Sequence, residues 1–200
     1  MTLSKSPVKA AIGMSTLDIW PITSEQEKKH PVYGAPVNLG AAVKGYLAIT
    51  TLPVTIPGDD INQVDDEIFV SAQLDTETTM SDLEINATLF GHTWSEDAGE
   101  ESKSTDRAIN CGISFIEPIM RKDKVVIYRA TCLRKGMPMA SSEKQEADTR
   151  KPGELNPKMN AVSFKVTEDN LHSWRVRKEC DTKEAAEAFI KTVFSAAAGD

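Results

Sequence analysis

Thiol and imidazole are scarce in this chain, and several classes of chemistry are excluded with them. Cys111, Cys132 and Cys180 are odd in number and far apart. Disulfide scaffolds and four-ligand zinc sites need more sulfur, more tightly clustered. All three therefore read as small packing residues. His30, His92 and His172 are the only histidines, and no two stand at a metal-ligand spacing such as i, i+4 on a helix. His30 lies in a polar Lys-Lys-His-Pro stretch, and His172 alternates in register with Trp174. His92 follows Gly91, where a cation near the last carbonyls of a helix is mildly favourable. Three Trp and three Tyr are too few to line a sugar cleft beside paired carboxylates. No nucleophile elbow, phosphate-binding loop or dinucleotide fingerprint occurs. Asp59-Asp60 and Asp65-Asp66-Glu67 lack the twelve-position calcium loop with its central glycine. No apolar run approaches the length of a membrane span. The first fourteen residues carry no apolar core long enough for a signal peptide, which predicts a protein made and kept in the cytoplasm. The expectation is a non-enzyme without catalytic residues, cofactor or metal.

What is present suits one domain spanning residues 1–200, long enough to bury a core without staples. The net charge of −7 conceals a segregation. Between Asp59 and Asp106 fourteen acidic residues face one base, Lys103, so this stretch carries −13 and the remainder +6. A protein that grips nucleic acid would concentrate positive charge instead. Beside the plain reading, a solvated acidic face, the pattern suits self-complementarity, the acidic zone of one copy meeting the basic zone of the next. Asp59, Asp60, Asp65, Asp66, Arg175 and Arg177 are the candidate interface residues on that argument.

Apolar residues recur mostly with period two, the signature of half-buried strands. Ile109, Cys111, Ile113 and Phe115 alternate with Asn110, Gly112 and Ser114. Beyond a short connection containing Pro118 and residues 121–124, Val126, Tyr128, Ala130 and Cys132 continue the pattern, predicting a hairpin. Val162, Phe164 and Val166 followed by His172, Trp174 and Val176 predict a second hairpin through Glu168-Asp169-Asn170. Ile68, Val70, Ala72 and Leu74 form another alternating run, and residues 8–20 and 43–56 are strands of less regular spacing. A capping box at Ser81–Glu84 opens a short central helix in which Leu83, Leu89 and Phe90 face the core and Gly91 supplies the left-handed close. A C-terminal helix is predicted over 181–197, capped by Asp181 or Thr182, with an apolar stripe of Ala185, Ala186, Phe189, Ile190, Val193 and Phe194. Three segments read as irregular: an N-terminal arm (1–9), an acidic loop (53–67) and a long charged loop (134–159). The order of elements predicts an α+β, mainly β fold, an antiparallel sandwich or barrel-like sheet with two helices.

Certain phrases in that order resemble a known family. Val32-Tyr33-Gly34-Ala35-Pro36-Val37-Asn38-Leu39-Gly40 is similar to an early phrase of the major tail proteins of long-tailed, non-contractile bacteriophages. The Asp65-Asp66 segment leading into a strand, the helix closing on Leu89-Phe90-Gly91-His92, the 115–132 hairpin with Tyr128, and Leu155-Asn156-Pro157 before a late strand also fit. The resemblance spans about residues 10–178, and its specificity lies in the order of the phrases. It implies a tail-tube fold whose copies assemble into hexameric rings stacked around a tape-measure protein. The tail terminator and distal tail or baseplate proteins would be the partners at the ends. DNA would pass through an electronegative lumen without specific binding. The place of such a protein is the virion tail, assembled in the host cytoplasm with no membrane. The rival readings are a tube protein of a contractile tail or injection system and, in another class, a carbohydrate- or receptor-binding β-sandwich using Asp59, Asp60, Asp65 and Asp66 for calcium. A hydrolase built on scattered carboxylates is a further rival, for which no constellation speaks.

Overall fold

The computed structural model describes residues 9–58, 61–79, 82–143 and 160–195. In chain order the elements are β1 (Lys9–Ala11), β2 (Ser15–Ser24), β3 (Val32–Tyr33), β4 (Val37–Asn38), β5 (Ala42–Gly58) and β6 (Ile61–Thr78). Helix α1 (Leu83–Phe90) follows, then β7 (Thr93–Ser95), β8 (Gly99–Glu101), β9 (Cys111–Arg121), β10 (Val126–Pro138), β11 (Asn160–Thr167), β12 (Arg175–Cys180) and α2 (Lys183–Ser195). Every strand pair is antiparallel, so the fold is α+β and mainly β, as the period-two pattern predicts.

One sheet runs β3-β2-β9-β10-β11-β6-β5, with β1 beside β9, β4 beside β2 and β12 beside β10. It curls. Leu17 and Ile19 of β2 share a core with Ala72 and Leu74 of β6 although several strands separate them along the sheet. Val162, Phe164 and Val166 of β11, Cys111, Ile113 and Phe115 of β9, and Leu89 and Phe90 of α1 fill the same core. Helix α1 is capped by Asp82, whose carboxylate accepts the N–H groups of Glu84 and Ile85, and it ends at Gly91 with φ +74°. The capping box is thus an Asp82 cap, while Ser81 lies outside the described residues. Leu83, expected inside, is 53% exposed, and the inward face of α1 is made by Ala87, Leu89 and Phe90, with Ile85 packed against the same core.

A second core covers the opposite face of β9 and β10. Ala186, Ile190, Val193 and Phe194 of α2 pack on Trp20, Ile116, Ala130, Cys132 and Cys180. With both faces covered, residues 111–116 are all buried, which is why Gly112 and Ser114 are inside although alternation predicted them outward. Thr182 caps α2 through its hydroxyl, which accepts the Ala185 N–H at 3.2 Å. The helix therefore runs 183–195 within the predicted 181–197, and positions 196–197 lie outside the described residues. Ala185 of the predicted stripe is exposed.

The first predicted hairpin is present, with Val126 opposite Met120 and Ala130 opposite Ile116. Pro118 belongs to β9 and faces Tyr128, and the turn itself is made by residues 122–125. The second predicted hairpin is not. Strands β11 and β12 lie end to end along one edge of β10, Thr167 opposite Lys135 and Arg175 opposite Leu133. They form one interrupted strand with residues 168–174 looped out, and His172, expected in a strand, sits in that loop at φ +57°. The Asp169 carboxylate closes the loop by accepting the N–H groups of Leu171 and Ser173, an Asx turn.

Two irregular segments are also revised. The acidic loop 53–67 is part of an antiparallel ribbon, with Pro53 opposite Glu67 and Val54 opposite Asp66. The charged loop 134–159 begins inside β10, which continues to Pro138 before a 3-10 turn at Ala140–Ser142, and 144–159 lie outside the described residues. Of the N-terminal arm, 1–8 lie outside the described residues, while Lys9 belongs to β1 and its ammonium donates to Glu179 at 2.6 Å.

Candidate functional site

The ribbon made by β5 and β6 is the most unusual part of the molecule. Strand β11 pairs with β6 only from Ala72 to Thr78. From Ser71 to Ile61, β6 has β5 as its only partner among the described residues. At 3.2–3.4 Å per residue that two-stranded part is about 30 Å long. A hairpin lacking a third strand is marginally stable alone in water. Prolines at 53 and 57 sit on β5, the edge strand, where a missing N–H costs no ladder bond.

The ribbon's two strands also leave large apolar side chains exposed. Val43, Tyr46, Ile49, Leu52, Ile68 and Val70 are each 47–63% exposed, half of the large apolar side chains left in solvent among the described residues. Leu52 and Ile68 are direct cross-strand partners. Val70 is the extra residue where Thr50 pairs with Ser71 and Thr51 with Phe69, a bulge that adds twist at the base. Leu52, Ile68 and Val70 lie on the two-stranded part, whereas Val43, Tyr46 and Ile49 lie where β11 also pairs with β6. Single exposed apolar residues are ordinary, and it is their concentration on these two strands that stands out.

The root of the ribbon is fixed by stacking. Phe69 stacks on Trp174 with ring centroids 4.5 Å apart, and the Arg175 guanidinium lies 4.2 Å from the centroid of the same indole. The site residues proposed from sequence therefore have unequal places. Asp66 is on the ribbon, exposed, and accepts the Glu67 N–H at 2.8 Å. Asp65 is in β6, opposite Thr55, and Asp59 and Asp60 lie outside the described residues. Arg175 is half-buried at the ribbon's root, where burial first and the neighbouring Arg177 second depress its pKa. Arg177 is exposed. It shares a shallow hollow with Arg129, Lys178 and Glu179 on the surface of the body. The acidic and basic candidates thus sit on different elements, ribbon and body.

No known protein-family model matches the chain, and no curated protein is detectably similar to it. Its function has to be argued from geometry.

Charged clusters elsewhere do structural work. His30 Nδ1 meets Asp169 Oδ2 at 2.6 Å, and Lys135 donates to Glu25 at 2.5 Å. Asn170 adds a bond to the Gln26 carbonyl at 2.8 Å, so the loops at 25–30 and 168–174 are stapled together. Burial pushes the thiols of Cys111 and Cys132 up to about 12, which leaves them unreactive as nucleophiles. Sequence reasoning places Val43, Tyr46, Ile49 and Leu52 in a strand over 43–56, which the structure bears out. It does not single them out as exposed surface, because irregular spacing does not say which side chains stay in solvent. The usable signal was Leu52 and Ile68 standing either side of the acidic stretch 53–67.

Proposed function

We propose that this chain is a structural tube subunit of the major tail protein kind, a self-assembling ring-former whose projecting ribbon lies on a neighbouring copy. The observation that supports the reading is the ribbon itself: a 17-residue strand paired with an 18-residue one, carried beyond the third strand and leaving Leu52, Ile68 and Val70 in solvent there. Burying apolar surface stabilises by about 25 cal/mol per Å². A neighbour covering Tyr46, Ile49, Leu52, Ile68 and Val70 therefore supplies a driving force for association. The open edge of β5 adds backbone donors and acceptors that a second copy can pair by strand addition. Tape-measure, terminator and baseplate proteins are the further partners of this role, and DNA passes through the tube.

Electron microscopy of the purified protein at rising concentration tests the proposal. Rings or tubes of uniform diameter are the expected result. Replacing both Leu52 and Ile68 with Ser should leave a folded monomer, checked by circular dichroism, that no longer assembles. Wild-type protein that stays monomeric at every concentration and ionic strength would overturn the reading.

A further inference from the structure

Away from the ribbon, four polar side chains from three parts of the chain converge. Asn86 lies on α1, and His92 follows its Gly91 close. Strand β8 folds back on β7, bringing Glu100 opposite Trp94 and so beside His92. Glu143 stands at the end of the 3-10 turn after β10. His92 Nδ1 is 2.6 Å from Glu100 Oε1 and 3.1 Å from Ser102 Oγ. The Asn86 amide donates to both carboxylates, at 3.1 Å to Glu100 Oε1 and 3.0 Å to Glu143 Oε1. The His92 side chain is 8% exposed and that of Glu100 10%. One ligand-capable atom from each of His92, Glu100 and Glu143 lies within 4.8 Å of the other two.

Two features ask for a cation. The first is charge. Two carboxylates bring −2, and among the described residues His92 is the only group with basic character that either one meets. A neutral imidazole offsets none of this charge and an imidazolium half of it. Glu100 is buried, where unpaired charge is costly, and Glu143, with its side chain 30% exposed, opens the cluster to solvent. The second is geometry. With Nδ1 beside Glu100, the other ring nitrogen, Nε2, lies 3.8 Å from Glu143 Oε2. That is too long for a hydrogen bond. Two ligands each about 2.0–2.2 Å from a tetrahedral zinc ion lie about 3.3–3.6 Å apart, so a shift of a few tenths of an ångström would seat an ion between them.

We propose that His92 Nε2 and Glu143 Oε2 bind a divalent transition-metal ion of the zinc type, with Glu100 as the carboxylate that orients the imidazole. The arrangement is that of a carboxylate–histidine–metal triad, in which the outer carboxylate fixes the tautomer and strengthens the ligand. Water completes the coordination. Imidazole nitrogen selects zinc or cobalt over calcium and magnesium, which take oxygen ligands. The ion would tie the end of α1 to the segment leaving β10. This inference is independent of the tube assignment.

The test is calorimetric titration of the full-length, chelator-treated protein with zinc chloride, repeated with cobalt(II) to read ligand-field absorption in the visible. One zinc per chain should bind saturably. Free ion at a hundred times its dissociation constant should raise the folded-to-unfolded ratio about a hundredfold in thermal or denaturant unfolding. His92→Gln and Glu143→Gln should each abolish the saturable site. Glu100→Gln should keep the stoichiometry but weaken affinity about 10–100-fold. His30→Gln and His172→Gln should bind as wild type. The absence of saturable zinc binding to the wild-type protein would overturn the proposal and leave the cluster a hydrogen-bonded His–Glu bridge. Binding that survives unchanged in His92→Gln or Glu143→Gln would overturn it equally.

Discussion

Glu179 shows how a single side chain on β12 sets an acid limit. Lys9 Nζ and Arg129 Nη2 donate to its two oxygens at 2.6 and 3.0 Å. Those bonds, that from Lys9 first, hold its carboxyl below the ordinary glutamate range. The folded protein therefore holds this proton less tightly than the unfolded chain. The stabilisation is present above the unfolded carboxylate's pKa and is lost as pH falls through the lower folded value. Glu179→Gln should unfold more readily than wild type near neutrality, by no more than about 0.2–1 kcal/mol because the pair is solvent-exposed. The difference should shrink on acidification, read as the denaturant midpoint from pH 7 down to about pH 3. A gap that widens on acidification would show the sign to be wrong. Asp75 behaves in the same direction, lowered first by the hydroxyl of Ser163 and then by the amide of Gln73. Asp18 behaves oppositely, because burial raises it.

Helix α2 depends on one missing side chain beneath it. Phe194 stacks on Trp20 with centroids 4.8 Å apart and meets Tyr33 edge-on at 4.7 Å. That aromatic cluster sits directly over Gly112, where an added Cβ would come within 2.3 Å of Phe194 and 2.9 Å of Tyr33. Gly112→Ala should therefore lift the end of α2 and destabilise the fold by about 1–3 kcal/mol, the usual cost of overpacking a filled core. Pairing it with Phe194→Leu should recover part of the loss in urea unfolding, and strict additivity of the two changes would contradict the contact. The Arg134 guanidinium reinforces the same place, donating to the Val193 carbonyl at 3.1 Å. Much at this scale was legible in the sequence. The apolar stripe of α2, the αL close of α1 and the β9–β10 hairpin all follow from local pattern. What was not legible is pairing at a distance. Alternation in Val162–Val166 and in the run from His172 to Val176 identifies extended chain, but it does not say that both segments share β10 instead of each other. Pro53, Pro57 and the carboxylates around them carry loop chemistry, and an edge ribbon tolerates the same residues. The His92, Glu100 and Glu143 cluster was hidden because its third member lies more than forty positions beyond the second.

For the whole molecule, the proposed assembly would draw separable contributions from charge and from apolar surface. The acidic zone lies partly on the ribbon, whereas exposed Arg177 lies on the body with Arg129 and Lys178. Contacts that join them are screened beyond about 10 Å at 0.1 M salt. Polymerisation followed by light scattering should accordingly slow as salt rises. Arg177→Glu should slow it more than Lys29→Glu, while Arg175→Glu should also loosen the ribbon's root through Trp174. Polymerisation that is unchanged or faster across the salt series would assign the driving force to apolar burial alone. One feature of the topology also governs how the chain is born. Strand β2 takes its main partner, β9, from about a hundred residues downstream, and β6 waits for β11, Leu74 for Phe164. Strands β5 and β6 are consecutive in the chain and pair with each other, so on a chain leaving the ribosome they can zip early while their neighbours are still unmade. The body cannot follow until β10 and β11 have emerged, since loop closure must be met before distant pairing gives anything back. For that interval the growing chain exposes a hairpin carrying Leu52, Ile68 and Val70 ahead of its core, the kind of transiently exposed apolar surface from which misassembly starts.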